Sequence, residues 1–211
     1  MTAILMNLRN AVIVAFVLAL VLFAVIMQIS GADWSATFGD RGFWAFVVRW
    51  FHIIAGVMWI GLLYYFNFVA AIQMPKIPDN EKPTVGKYIT PTALFWFRWA
   101  AMATVIFGLI LGYLNDYLTA ALTLGATEKF AVPSHILIGV GAYLGVIMWF
   151  NVWFVIWPNQ QKALNIGNRY PDLAKDAKAA AAKTAGMFSR INVVLSVPML
   201  FAMAGASHLG V

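Results

Sequence analysis

The chain contains no cysteine. Disulfides, thiolate metal sites, iron–sulfur clusters and covalently attached c-type haem all require that sulfur and are excluded. Charge is scarce as well: Asp, Glu, Lys and Arg supply 10% of the 211 residues, while hydrophobic residues supply 63%. A water-soluble domain carries about a quarter charged residues, so this chain cannot cover its surface with solvated side chains. Acidic residues are the scarcest part of that charge, 8 against 14 Lys and Arg.

What remains is long apolar runs. A membrane-crossing helix needs about 20 mainly apolar residues, and five such spans are predicted at 11–29, 51–72, 93–114, 135–157 and 191–208. The runs do not alternate polar and apolar residues, which excludes barrel strands. The predicted fold is an all-α integral membrane protein, a single bundle of about five transmembrane helices. Residues 11–29 are longer and more uniformly apolar than a secretory leader's core, so the first helix is expected to be retained, although Ser30-Gly31-Ala32 resembles a cleavage site.

The placement of the basic residues fixes an expected orientation. With the N-terminus cytoplasmic, Arg9, Lys76, Lys82, Lys87, Arg98, Lys162, Arg169, Lys175, Lys178, Lys183 and Arg190 fall on the cytoplasmic side. Arg41, Arg49 and Lys129 fall on the other. This positive-inside bias predicts a bacterial inner membrane protein with its C-terminus in the periplasm. The net charge of +6 therefore reports topology and contact with the lipid bilayer, not a nucleic-acid partner. Pro158 is expected to end the fourth span. The Ala- and Lys-rich stretch from Pro171 is expected to form a helix running on into the fifth.

The three histidines are the residues that suggest chemistry. His52, His135 and His208 all fall at the periplasmic ends of their spans in this topology, where they could hold a metal or cofactor together. Ionisable groups within a span are costly and mark function. Gly56 at i+4 from His52 would leave room for a flat macrocycle, and Arg49 at i−3 would sit above it, placed to pair with a propionate. Gly139 stands in the same relation to His135. The plainer alternatives are interfacial anchoring for the histidines, headgroup contact for Arg49 and close helix packing for the glycines. Two facing imidazoles can hold haem b iron axially, with His52 as one ligand and His135 or His208 as the other. The same three could bind copper or zinc. A second polar set, Tyr65, Asn67, Arg98, Asn151, Asn159, Gln160, Arg190 and Asn192, lies toward the cytoplasmic half and suggests either interhelical hydrogen bonding or a quinone or substrate pocket.

Three strings, RWFHIIAGVMWIG (49–61), FNVWFVIWPNQQK (150–162) and SVPMLFAMAGASH (196–208), resemble the membrane domain of the bacterial urate oxidase (urate hydroxylase) family with a cytochrome c tail. The resemblance covers about residues 43–209. A looser similarity, through the His-Ile-Ile span, extends to haem-binding protoporphyrinogen oxidases and copper-resistance membrane proteins. The resemblance implies a membrane redox protein passing electrons to a periplasmic cytochrome or a larger membrane complex, and it carries over His52 and His208. The chain has no Cys-x-x-Cys-His, and it reads Thr92-Ala93-Leu94-Phe95-Trp96 where the family has histidines before its third span. The resemblance therefore does not extend to urate chemistry. An accessory subunit of a respiratory or photosynthetic complex, without its own cofactor, is the alternative from a different functional class.

Overall fold

A computed structural model describes residues 6–209. It is all-α: among the described residues there is no strand. Five helices are long and apolar enough to cross a membrane: α1 (Leu8–Ser30), α2 (Arg41–Lys76), α3 (Thr90–Leu114), α4 (Pro133–Leu164) and α5 (Lys175–His208). Chain contacts divide the protein into two compact units, Met1–Trp44 and Ala45–Val211, the boundary falling inside α2.

The first unit is built on local signals. The Asn7 side chain caps α1 by accepting from the Arg9 and Asn10 amides. Gly31 stops the helix in the left-handed region, at φ 63°, with its N–H donating to the Gln28 carbonyl. The small residues after α1 thus include a helix stop. Asp33 caps a short helix, Trp34–Gly39, through the Ala36 amide, and Asp40 receives the Phe43 amide. The rings of Phe23, Trp34, Phe38 and Phe43 pack together beside these turns. Within α1 itself only Met27 is buried.

In the second unit, α2 to α5 run alternately up and down. One end of this bundle, its basic end, carries the connections 77–89 and 165–174 with Lys82, Lys87 and Arg169. The opposite end carries the connection 115–132. The closest pair is α4 with α5, antiparallel, and small residues make it possible. Ala181, Ala185, Asn192, Ser196, Met199, Ala202 and Gly205 form the buried face of α5. A Cβ on Gly141 would meet Met203 and Ala202, and one on Gly205 would meet Leu137. In lipid, where apolar side chains gain nothing by leaving the solvent, such close packing supplies the association energy. The core between the helices is made by Trp59, Leu63, Phe97, Met148 and Val152.

Two spanning helices contain a π turn, Tyr65–Ala70 in α2 and Asn151–Ile156 in α4. Side-chain amides bond carbonyls at their borders: Asn67 donates to the Leu63 carbonyl, and Asn192 to that of Met148. Pro158 does not end the fourth helix as its ring would suggest. The helix continues to Leu164, because the π turn just before it changes the bonding: the Trp157 N–H reaches back five residues to Val152. At the start of α5 the helix begins at Lys175, past Pro171, and then runs unbroken to His208.

Gly139 is set by this packing. Its missing Cβ would collide with the carbonyl oxygen of Ala121, in the short helix Leu118–Leu122 that lies against α4. Gly145, one and a half turns on, is buried but has nothing within 4 Å of a Cβ position. Gly139→Ala is expected to destabilise the protein by about 1–3 kcal/mol. Gly145→Ala should be neutral or slightly stabilising, by up to about 1 kcal/mol. Denaturation midpoints of the two variants in the same detergent check this contrast.

Candidate functional site

His52 lies about eleven residues, or about 16 Å, into α2 at 1.5 Å per residue, because that helix starts at Arg41. The imidazole is half-buried against α3. Its Nδ1 is 2.9 Å from the backbone carbonyl oxygen of Thr104. A carbonyl only accepts, so Nδ1 carries a proton and donates it, and in the neutral imidazole Nε2 is then the basic nitrogen. Among the described residues Nε2 has no hydrogen-bond partner. Gly108 allows this approach, since a Cβ there would stand 3.1 Å from the ring's Cε1. A histidine whose one nitrogen is fixed by a carbonyl and whose other is unprotonated is arranged as metal-ligating histidines are.

The other histidines are elsewhere. His135 is the third residue of α4; its Nδ1–H donates to Glu128, at 2.8 Å, and its ring packs on Tyr117. Tyr117 follows the end of α3, whereas Thr104 and Gly108 lie within it. His52 and His135 are therefore about 9–15 Å apart along the helix axes. Two imidazoles on one metal ion come within about 4 Å of each other, at about 2 Å per bond. The shared depth expected of the three histidines fails because α2 begins well before Trp50. His208 is exposed at the end of α5, near the level of His135 by the pairing of Gly205 with Leu137. Among the described residues no three His, Asp or Glu side chains gather as a metal site, so His52, His135 and His208 do not form one centre.

The flanking glycines are also accounted for by protein. Gly56 faces Thr104, whose methyl group would lie 3.9 Å from a Cβ, so α3 occupies the side where a macrocycle was expected. Gly139 is filled by Ala121. Arg49 is exposed on the turn beyond His52, and its charge acts on Tyr117. The site is thus His52 with Thr104 and Gly108, and separately an end cluster of Arg49, Tyr117, Glu128 and His135. Thr104 and Gly108 are not singled out by the sequence alone. Their i,i+4 spacing is the only signal, and it is common in packed helices. Glu128, seven residues before His135, could have been found as the one carboxylate in the connection close to a histidine.

Three of the eight residues of the second polar set, Asn67, Asn151 and Asn192, make interhelical bonds. Asn151 donates to Asn192, Asn67 to Ser189, and the Tyr64 hydroxyl pairs with that of Ser196. Asn159 bonds the Val155 carbonyl of its own helix, and Arg98 stacks on Trp153 and Trp157 instead.

Compared with protein families, curated proteins and solved structures, the chain matches none.

Burial raises the Tyr117 phenol above its ordinary range near 10, and the Arg49 charge partly offsets this. A raised phenol keeps its proton longer when folded than when unfolded. Its contribution is complete below about pH 10 and is lost as pH rises further. The alkaline loss of stability above about pH 10 should be smaller in Tyr117→Phe, measured as denaturation midpoint against pH beside the wild type.

Proposed function

We propose that this chain is a membrane-embedded redox protein that transfers electrons through a haem b-type group held by His52. The observation that supports this most is the Nδ1–H bond to the Thr104 carbonyl, which leaves Nε2 free to ligate inside an apolar helix pair. The residues fit one axial ligand from this chain. They do not fit the pair His52 and His135, which are too far apart, nor a slot at Gly56 or Gly139, which protein fills. Haem, when bound, supplies a one-electron iron couple. His52 would hold it, Gly108 would keep the imidazole seated on α3, and Arg49 would offer a cation to a carboxylate one turn away.

Copper is less well supported, since an imidazole-only copper site needs several histidines to converge. Electron exchange with a periplasmic cytochrome or a larger membrane complex, in a bacterial inner membrane, belongs to this proposal, as does the likeness to the urate oxidase membrane domain. A second reading, an accessory subunit without a cofactor, is favoured by one observation. The outward face of α2 has an apolar groove of about 450 Å³ along Ile53, Val57, Met58 and Gly61, suited to a neighbouring helix.

The two readings separate in an oxidised-minus-reduced visible spectrum of the detergent-purified protein. A haem b signal is expected that disappears in His52→Ala and survives in His135→Ala and His208→Ala. Gly108→Ala, which crowds the ring without removing it, should shift the reduction potential. A folded protein with no haem, or a signal indifferent to His52→Ala, overturns the redox proposal.

A further inference from the structure

Arg98 stands in the first half of α3, about 12 Å from the helix start at 1.5 Å per residue, toward the basic end. Its guanidinium lies 3.7 Å from the ring centroid of Trp157 and 5.1 Å from that of Trp153. Trp99 packs edge-on against Trp153 at 5.3 Å. The stacking orients the guanidinium but uses none of its N–H groups. Nε and Nη1 are sealed from solvent and have no acceptor. Three more buried groups share that condition among the described residues: the indole nitrogens of Trp59, Trp149 and Trp153. All five are donors, so the core has a surplus of N–H and a shortage of oxygen.

The charge is unanswered too. Arg98 pairs with no carboxylate among the described residues. None is within its own helix, and α2 and α4 contain no Asp or Glu at all; α5 has only Asp176, in its first turn. A buried donor without a partner costs about 1–3 kcal/mol, more when charged, and an uncompensated charge in a span is the strongest such case. Snorkelling does not relieve it, because Nε and Nη1 remain sealed while the head is stacked on two indoles. The missing component is an acceptor bearing negative charge.

We propose that Arg98, on the Trp153–Trp157 platform, is a binding site for an oxyanion: the phosphate of an anionic lipid or the carboxylate of a small organic acid. The site is separate from His52 and does not rest on the redox reading. The Arg98 Nη2 group, which is not among the sealed atoms, supplies the charge-assisted donors that an oxyanion meets first, and Trp157 holds its plane. The π turn Asn151–Ile156 presents Trp153, which carries a further donor.

The test uses the full chain in phosphatidylcholine nanodiscs, with two probes added separately. One is phosphatidylglycerol, read by native mass spectrometry after release. The other is benzoate against neutral benzamide, read by tryptophan fluorescence and thermal midpoint. At least one probe should bind wild type and bind Arg98→Gln about tenfold or more weakly, the worth of a charge-assisted hydrogen bond. Arg98→Lys, keeping the charge but not the stacked plane, should fall between them, and His208→Ala, at the exposed end of α5, should bind as wild type does. Retention of phosphatidylglycerol alone identifies a lipid site, and a response to benzoate alone a small-acid site. If neither probe distinguishes folded wild type from folded Arg98→Gln or Arg98→Lys, the proposal is overturned.

Discussion

Asn192 uses both ends of its side-chain amide at a point where no solvent reaches: its oxygen accepts from Asn151, and its nitrogen donates to the Met148 carbonyl. This clasp ties α5 to the place where α4 leaves α-helical geometry. A π turn displaces carbonyls from their usual partners, and in lipid such a carbonyl has no water to turn to. Asn192 accepts that role for Met148, and Asn67 does the same for Leu63 in α2. The irregular turns are therefore sustained by side chains from within the bundle, and Trp153, inside the second of them, and Trp157, just after it, take their positions from that arrangement.

The bundle sets two polar features in opposite halves. His52 leans on α3 in the half away from the basic end, with one nitrogen committed and the other free. Arg98, on the same helix α3, lies toward the basic end, with its plane committed and its donors free. Between them lies the buried core of Trp59, Leu63, Phe97 and Met148. Each feature leaves unmet the valence that a ligand would meet, a basic nitrogen in the first case and N–H donors in the second.

The five spans and the all-α class were legible because both follow from runs of apolar residues, a signal that survives any detail of packing. The continuity from Lys175 into the last span was legible from Ala-rich composition. Helix starts were not. Arg41 opens α2 because Asp40 receives an amide of its first turn, a local cue hidden in a polar stretch, and that difference displaced His52 from the depth of the other histidines. The glycines misled for a related reason. Gly56 and Gly139 look the same whether they admit a ligand or a neighbouring helix, and only the position of Thr104 and of the Ala121 carbonyl decides. Arg98 was visible as a member of the polar set of the cytoplasmic half, but Trp153 and Trp157 could not be assigned to it without knowing of the π turn Asn151–Ile156.

The π turn in α4 changes the pattern that its side chains present. A π turn holds one residue more than the α turn it replaces, so everything after it is rotated by about 100° relative to an uninterrupted helix. The Gly139–Gly145 stretch and the Trp157–Leu164 stretch are consequently out of step by a single residue. A helical wheel drawn through the whole of α4 blurs both faces into one hydrophobic cylinder. Drawn as two wheels joined at Asn151, it separates Gly141, turned to α5, from Trp157, turned to Arg98 of α3.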